Sequence, residues 1–310
     1  MASTDNAVND APISGRILIT GGTGFVGRAI RSALAGRPLR LLVRNPANHA
    51  HQATDLVEVV EGDVTDAESL RGTMDDCEAV IHLVAIIDER GGATFDKVIR
   101  QGSVNVIDEA QRAGATRLLH MSALGAMHDP KFAYFEAKWQ AEQAVKRSPL
   151  AWTIFRPSII FGPGDGFITV LANLVRAAPL VPVVGSGEST FQPIRVNEVA
   201  ASYARALDDP KTIGQIYELG GGQIYTYEEM IDLLKVKLGK RGPNIHVPVP
   251  LMTFVVSMSQ PLPEKLRPTV TSEQLKMLAV NNSTASSATA SLIGHEPTRL
   301  EDALDYITRR

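Results

Sequence analysis

A tyrosine and a lysine stand four residues apart in the segment YFEAK, as Tyr134 and Lys138. On a helix this spacing places both side chains on one face. A lysine cation close to a tyrosine lowers the pKa of the phenol and eases proton exchange with a substrate hydroxyl or carbonyl. Ser122 ends the preceding apolar run and is the candidate for orienting such a substrate. The same spacing also arises on solvated helix faces, so the chemical interpretation depends on the elements that hold these residues.

A second set of residues is suited to binding phosphate. In ILITGGTGFVG a short apolar strand is followed by Gly21, Gly24 and Gly27 in the spacing GxxGxxG. Glycine permits a sharp turn and the close approach of backbone to a pyrophosphate. The apolar positions after Gly24 follow the period of a helix, whose free N–H groups then point back at the loop. This order predicts a dinucleotide site rather than a plain tight turn. The remaining predicted members of the loop are Thr23, Phe25 and Val26.

Two residues at later strand ends bear on the identity of the nucleotide. Arg44 lies 20 residues after Gly24, where a site for NAD(H) would place an acid to accept the ribose hydroxyls. An arginine can instead bind a 2′-phosphate, so the sequence favours NADP(H) over NAD(H), the alternative being a solvated surface arginine. Asp63 is equally suited to accepting the adenine amino group and to capping a helix that opens near Thr65 or Asp66.

The remaining residues that could carry chemistry have structural interpretations. His82 and His120 lie inside apolar runs without metal-ligand spacing around them, so we expect satisfied core histidines and no metal site. Cys77 is the one cysteine and cannot form an internal disulfide, which suits a reducing cytoplasm.

Composition limits the classes of partner. The chain has 310 residues, of which 44% are hydrophobic and 21% charged, with a net charge of −3. Without a basic run the footprint of a nucleic-acid-binding protein is absent. Residues 1–14 are small and polar and predict a disordered tail rather than a signal peptide. The late apolar stretch 247–263 is too short and too rich in proline to span a membrane, so it predicts a helix of a second domain, the alternative being an interfacial or partner-docking surface.

Short apolar runs alternate with longer segments of helical period. The runs cover residues 39–45, 56–63, 79–85, 117–123 and 152–158. Helices are predicted over 95–113, opened by Thr94, and over 130–147, opened by Asp129. This alternation is typical of an α/β fold with a doubly wound parallel sheet, a Rossmann fold, whose ligands bind at the carboxyl ends of the strands.

Gly/Pro-rich loops such as FGPGDG interrupt this pattern beyond Ser158. We expect a dinucleotide-binding Rossmann domain made of residues 15–157 plus about 191–221. A small discontinuous domain of about 158–190 and 222–310 would then close over the strand ends.

The motifs TGGTGFVG, GDVTD, HLVA, YFEAK and RPSIIFGPGD, in this order, resemble those of the extended and atypical short-chain dehydrogenase/reductases. More narrowly, MSALGA, WTIFRPSIIFGPGD, QPIRVNEVA and SEQLKML resemble the branch that contains the NADPH-binding accessory subunit of respiratory complex I and its bacterial relatives.

The resemblance implies a role for each matching residue. It places the three loop glycines at the pyrophosphate, Arg44 at the 2′-phosphate and Lys138 at the nicotinamide ribose. The other implied contacts are Asp63 and Val64 at the adenine, Leu83, Val84 and Ala85 on the ribose side, and Arg156, Pro157 and Ser158 near the nicotinamide.

Two departures from active members argue against efficient hydride chemistry. The serine or threonine that polarises the substrate carbonyl usually lies one or two residues beyond the position of Ser122, where this chain has Ala123 and Leu124. The segment from Ser122 to Tyr134 is also shorter than in active members, so the loop that forms one wall of a sugar-nucleotide pocket is shortened. The first hypothesis is therefore a protein that holds NADP(H) as a structural or sensing ligand.

In that hypothesis the C-terminal region docks a protein partner such as a respiratory complex. The protein would then be cytoplasmic, with possible peripheral contact at the inner face of the membrane. The alternative is an NADP(H)-dependent reductase or a sugar-nucleotide epimerase or dehydratase, in which Tyr134 exchanges the proton, Lys138 assists and Ser122 orients the substrate.

Overall fold

The computed structural model describes residues 12–177, 180–258, 271–278 and 280–308. In its first half, strands alternate with helices as the sequence predicts, except across three consecutive strands that are separated by a 3-10 helix (Pro46–Gln52) and by turns. The elements of this half are β1 (Arg16–Thr20), α1 (Phe25–Ala33), β2 (Leu39–Val43), β3 (Val57–Glu61), β4 (Cys77–His82), α2 (Gly102–Arg112), β5 (Arg117–Met121), α3 (Ala133–Arg147) and β6 (Ala151–Pro157).

The second half contains short strands and further helices. They are β7 (Ile160–Phe161), α4 (Ile168–Ala177), β8 (Val181–Val184), β9 (Thr190–Phe191), β10 (Ile194–Arg195), α5 (Val196–Asp208), β11 (Gln215–Leu219), β12 (Tyr225–Thr226), α6 (Tyr227–Lys237), β13 (Asn244–Val247), α7 (Val249–Met258), α8 (Ser272–Leu278) and α9 (Thr289–Ile293).

Seven of the described strands form one sheet in the order β11-β6-β5-β4-β1-β2-β3, and every neighbouring pair is parallel. The order reverses direction at β1, which lies between β4 and β2. In such sheets ligands bind in the crevice at this reversal, beyond the carboxyl ends of the strands. The predicted doubly wound Rossmann sheet is confirmed, and β11 shows that residues 215–219 return to it.

The apolar side chains of β1 are buried on both faces of the sheet, as its central position requires. Ile17 and Ile19 belong to one hydrophobic cluster and Leu18 to another, and all three side chains are fully buried. A strand buried on both faces must be covered by helices on both sides. The first cluster also contains Ile30 of α1 and Tyr203 of α5, while the second includes Val106 of α2 and Val145 of α3.

Three predicted helix starts have different outcomes. Thr94 accepts a hydrogen bond from the backbone N–H of Lys97 (3.1 Å) and opens a helical stretch as predicted, although a π-helical turn over Asp96–Gln101 precedes α2. The helix predicted from residue 130 begins at residue 133, because Asp129 caps only a turn, through the N–H of Lys131 (2.9 Å). The alternative in which Asp63 caps a helix near Thr65 or Asp66 is wrong, since the segment that follows consists of turns.

A second hydrophobic core lies outside the main sheet. It joins Phe161, Val175 and Val183 to Met230 and Leu304, and thus both segments of the predicted small domain. The boundaries of that domain stay a prediction.

The predicted N-terminal tail can be compared with the structure over its last three residues. Residues 1–11 of the predicted tail lie outside the described residues. The tail does not extend to residue 14, because Ile13 is buried and the N–H of Ser14 donates to Glu78 Oε2 (2.9 Å).

The late apolar stretch forms α7 up to Met258, and residues 259–263 lie outside the described residues. Within the described part of the chain, no helix combines the length and the apolar character that crossing a bilayer requires.

Candidate functional site

The glycine loop lies between β1 and α1 at the reversal of strand order. Gly21 has a φ of +71°, a conformation that favours glycine, and its carbonyl accepts from the N–H of Gly24 (3.0 Å). Gly24 occupies the N-cap of α1 without a side-chain cap, and the first turn of the helix has no acidic residue. The N–H groups of that turn are therefore free to bind an anion.

The three glycines have different structural roles. A Cβ on Gly27 would lie 2.2 Å from the carbonyl oxygen of Gly21 and 2.6 Å from Cα of Gly22, so the close packing of α1 on the loop requires glycine there. A Cβ on Gly24 would meet only the Gly21 oxygen, at 3.2 Å, and Gly24 is exposed. Gly27 therefore serves the fold, whereas Gly24 leaves space for a ligand.

The segment after β4 lies against the same loop. A Cβ on Gly21 would be 3.4 Å from side-chain atoms of both Leu83 and Val84, which are half-buried, and Ala85 beyond them is exposed. The N–H of Leu83 is fixed by the hydroxyl of Thr20 (3.2 Å). The structure thus brings the predicted ribose-side residues together with the glycine loop.

Arg44 and Asp63 follow neighbouring strands at the same edge of the sheet. The N–H of Gly62 donates to the carbonyl of Val43 (3.0 Å), which joins the ends of β2 and β3. Arg44 is exposed, and its side chain makes no hydrogen bond or ion pair with the described residues. Its guanidinium is therefore available to an anionic ligand.

Asp63 is engaged in its own turn. Its Oδ1 accepts from both the N–H (2.8 Å) and the hydroxyl (2.9 Å) of Thr65, so this oxygen holds a local turn and caps no helix. The side chain of Val64 is buried and packs against Gly102, whose Cβ position is 3.1 Å away.

Arg28 is a candidate ligand-binding residue that the sequence reasoning missed. It lies directly after Gly27, and its Nη1 donates to the carbonyl of Thr23 in the glycine loop (2.8 Å). The Cβ position of Gly164, in the predicted capping loop FGPGDG, is 3.6 Å from Arg28 Nη2. A cation held at this helix N-terminus adds to the attraction for phosphate. The signal in the sequence was the basic residue that follows the third glycine.

Tyr134 and Lys138 both lie on α3 and are both buried. Lys138 Nζ donates to the carbonyl of Met121 at the end of β5 (2.7 Å). Burial lowers the pKa of Lys138 to about 8, against the opposing effect of the Glu142 carboxylate. Burial raises the pKa of Tyr134 to about 12, so the expected lowering of the phenol pKa by lysine is not what this structure shows.

The surroundings of Tyr134 are apolar. Its ring packs edge-on against Phe95, with ring centroids 5.7 Å apart. Ala123, Met127 and Met277 pack against the same cluster. The N–H of Tyr134 donates to Oε1 of Glu273 on α8 (3.4 Å), which brings the C-terminal region over this end of α3.

Ser122 faces a buried ion pair instead of Tyr134. Its hydroxyl donates to Oε1 of Glu142 (2.6 Å), a carboxylate with no exposed surface. Arg156 binds both oxygens of the same carboxylate, through Nε (2.8 Å) and Nη2 (2.7 Å). The side chains of Ser122 and Arg156 are thus committed to Glu142, which the sequence reasoning had not singled out.

Asn282 joins the ends of β5 and β6. Its Oδ1 accepts from the hydroxyl of Ser158 (2.7 Å) and the N–H of Ile159 (3.0 Å), and its Nδ2 donates to the carbonyl of Leu124 (3.0 Å). Pro157 lies buried beside Ser158 and accepts from the N–H of Leu124 (2.9 Å). The residues implied near the nicotinamide are therefore assembled, with the Ser158 hydroxyl bound to the C-terminal segment.

The two buried histidines differ in their partners. His82 is satisfied as expected, by the hydroxyls of Thr20 at Nδ1 (2.7 Å) and Ser103 at Nε2 (3.1 Å), and burial lowers its pKa to about 3. His120 is not satisfied, because neither ring nitrogen has a partner among the described residues. Burial, with His82 and Lys138 nearby, holds the pKa of His120 well below its usual range. No group of three His, Cys, Asp or Glu residues in the described part of the chain could hold a metal ion.

These observations fit a dinucleotide. The pyrophosphate would face an uncapped helix N-terminus with Arg28 beside it, and the crevice between β1 and β4 leads from Arg44 toward Lys138. No side chain of the glycine loop occupies the space beyond Gly24.

Comparison with known proteins agrees with this assignment. Residues 21–210 match the model of a family described as NAD(P)H-binding. The chain is 28% identical over 242 residues to the mitochondrial NADH dehydrogenase (ubiquinone) 1 alpha subcomplex subunit 9 of Arabidopsis thaliana, covering 75% of this chain and 60% of the relative. It is 34% identical over 189 residues to the ceramide reductase of Caulobacter vibrioides, covering 60% of this chain and 59% of the relative. The chain thus spans about three fifths of the length of these relatives.

Solved structures share the fold. A dTDP-glucose 4,6-dehydratase from Streptomyces venezuelae, determined with NAD and TYD bound, superposes with a TM-score of 0.73 at 21% identity. The superposition covers 93% of this chain and 94% of the dehydratase.

Proposed function

Because the chain belongs to the NAD(P)H-binding family, we propose that it holds NADP(H) as a structural or sensing ligand and performs little or no hydride transfer. The nucleotide would lie across the ends of β1 and β4, with its pyrophosphate on the first turn of α1. The nicotinamide supplies a transferable hydride when bound. Hydride transfer then requires that residues of this chain hold a substrate carbonyl beside the nicotinamide.

The observation that carries the proposal is the hydrogen bond from Ser122 to Glu142. Reduction of a carbonyl places negative charge on the substrate oxygen. Besides the general acid, a second hydrogen-bond donor within reach of that oxygen stabilises the charge. Here the Ser122 hydroxyl is 2.6 Å from a buried carboxylate that Arg156 also binds. The next two residues, Ala123 and Leu124, have no side-chain hydroxyl. Neither Ser122 nor the two residues after it therefore offers Tyr134 a free hydroxyl for a substrate oxygen.

Arg44 supports the choice of NADP(H). Its exposed guanidinium follows β2 directly and has no partner among the described residues. An arginine pairs well with a phosphate dianion, whereas it offers less to the ribose hydroxyls of NAD(H). Arg28 would add to the attraction at the pyrophosphate rather than at the 2′-phosphate, because it is hydrogen-bonded to the glycine loop.

The protein partner is proposed from the relatives. The similarity to an NADH dehydrogenase subunit covers 75% of this chain, and we propose an accessory or assembly role with a respiratory complex of that type. The C-terminal region would dock the partner, in the cytoplasm and at the inner face of the membrane. In this role the bound nucleotide stabilises the fold. Because that stabilisation increases with the concentration of NADP(H), the protein could also sense the NADP(H) level.

A second candidate is an NADP(H)-dependent reductase or epimerase that uses Tyr134 and Lys138. The lowered pKa of Lys138 favours it, because a lysine that titrates near pH 8 can exchange protons. The apolar surroundings of Tyr134, which include Phe95, Met127 and Met277, favour an apolar carbonyl over a sugar nucleotide. The similarity to a ceramide reductase agrees with such a substrate class.

One experiment separates the two candidates. The full chain is purified from its own cells under mild conditions, the bound nucleotide is identified by mass spectrometry, and its exchange and oxidation are followed. Tightly held NADP(H) without substrate-dependent oxidation supports the first proposal. Oxidation of NADPH by a long-chain ketone or a sugar nucleotide supports the second and overturns the first.

A further inference from the structure

The outer face of α7 is apolar and exposed. Pro250, Leu251, Phe254 and Met258 fall within one 100° arc of the helix, at 100° per residue. Leu251 is 53% exposed, Phe254 61% and Met258 63%. The half-buried residues Val249, Met252 and Thr253 lie on the opposite side. We call the four exposed residues the α7 stripe.

The segment that leads to this stripe carries basic residues, while the acidic side chains of Glu228 and Asp232 on α6 are bonded to Asn244 of β13. Between Asp232 and Glu264 the sequence contains four lysines and arginines and no acidic residue, although the whole chain has a net charge of −3. Lys235 pairs with Asp232, and Lys237 pairs with Asp305. The exposed Lys240 and Arg241 form no side-chain ion pair with any described residue.

These two free cations line a cleft of about 280 Å³ together with Arg176 and Lys235. Arg176 is held by Asn173 (2.6 Å), and Lys235 Nζ donates to the carbonyl of Gly242 (2.9 Å). The cleft is thus lined by four cations, two of them fixed and two unpaired. Its charge is complementary to a phosphate or another anionic headgroup.

The cleft and the stripe lie at opposite ends of β13. Val181, which lines the cleft, pairs with Asn244 at the start of β13. The stripe begins at Pro250, three residues after β13 ends at Val247, and the strand from Asn244 to Val247 spans roughly 10 Å at about 3.3 Å per residue. Exposed Ile245 continues the apolar surface along this strand.

We infer that the α7 stripe and the cationic cleft dock the protein on a membrane that contains anionic lipid. An uncharged helix face with cations beside it is suited to the interface, where Leu, Phe and Met enter the acyl boundary and Lys and Arg bind headgroups. The inference rests on the proposed peripheral location and makes it specific.

Vesicle co-sedimentation of the full chain tests this. We expect the protein to sediment with vesicles of phosphatidylcholine and phosphatidylglycerol at low salt, far less with phosphatidylcholine alone, and to be released by added salt. Phe254→Glu lowers binding about tenfold or more, and the double variant K240E/R241E removes the preference for anionic lipid. Leu56→Glu is the matched control, because Leu56 is 47% exposed but lies beside β3 in the other lobe.

NADPH titration of the same variants distinguishes a failure of membrane docking from a failure of the proposed nucleotide binding. Phe254→Glu binds NADPH as wild type does, so a loss of both properties means misfolding and is resolved with the milder Phe254→Ser. Wild-type protein that stays in solution with anionic vesicles overturns the inference. Equal loss in Leu56→Glu also overturns it, as does sedimentation only with membranes that carry a respiratory complex, which would assign the surface to a protein.

Discussion

The hydroxyl of Ser122 lies 2.6 Å from Oε1 of Glu142, inside a buried cluster that Arg156 completes from β6. This contact fixes the one hydroxyl that the sequence offers for orienting a substrate beside Tyr134. It connects the ends of two strands to α3 and is the contact on which the proposed loss of hydride chemistry rests.

Glu142→Gln should destabilise the protein by on the order of 3 kcal/mol, because it removes the buried carboxylate that binds Arg156 through two hydrogen bonds and leaves Arg156 with the more distant Glu218 (3.8 Å). Urea denaturation measures the change in the free energy of unfolding. Glu68→Gln is the control, since Glu68 and Arg71 are mostly exposed and 3.9 Å apart. A loss for Glu142→Gln no larger than the control's would show that the cluster does not stabilise the fold.

Two glycine variants should separate folding from ligand binding. Gly27→Ala should lower the melting temperature of the ligand-free protein, since its Cβ would lie 2.2 Å from the Gly21 oxygen. Gly24→Val should abolish NADPH binding with a stability loss of about 1 kcal/mol, because the side chain projects into ligand space at an N-cap. Calorimetric titration and thermal melts report both effects. NADPH binding that survives Gly24→Val would place the nucleotide elsewhere.

Arg44 should decide between the two dinucleotides. We expect wild-type protein to bind NADPH more tightly than NADH, and Arg44→Asp to lose about 1.5 to 3 kcal/mol of that affinity, roughly a factor of 10 to 150. The exposed Arg71→Asp is the control for a general charge effect. Equal wild-type affinities for NADH and NADPH would make Arg44 a surface residue only.

Acid should destabilise the protein through its buried histidines. Their pKa values are lowered on folding, so the unfolded chain binds more protons than the folded one as the pH falls below about 6.5. Each histidine then costs up to about 1.4 kcal/mol of unfolding free energy per pH unit. His120→Leu should flatten this dependence between pH 6 and 4, and should be neutral or stabilising at pH 7 because it removes two unpartnered nitrogens.

Unfolding titrations at several pH values measure this slope. The exposed His51→Leu should leave it unchanged. An unchanged slope in His120→Leu would mean that His120 is protonated or solvated in the folded protein.

Most of the fold could be predicted because it depends on local patterns. The strand, glycine loop and helix from Arg16 to Ala33 follow from apolar period and glycine spacing alone. The start of α3 could not be fixed, because Asp129 and Pro130 carry the usual signals of a helix start yet form a separate turn.

The site could be predicted only where its residues follow strand ends. Glu142 looks like a solvated helix residue within WQAEQA, and only the tertiary structure buries it against Arg156. The bond between Ser158 and Asn282 joins residues 124 positions apart, which no local pattern encodes. The apolar run that contains His120 likewise does not reveal that its ring nitrogens lack partners. That follows only from the packing of β5 against β4 and α3.

Consumption of NADPH by wild-type protein and Tyr134→Phe, across a panel of long-chain ketones and sugar nucleotides, tests the central claim most directly. NADPH titrations in parallel should show that Tyr134→Phe keeps its affinity, whereas Lys138→Met, which preserves the buried volume, weakens binding. We predict no substrate-dependent oxidation of NADPH by either protein. A clear wild-type turnover that falls by about 10² or more in Tyr134→Phe would contradict the account and identify the chain as an active reductase or epimerase.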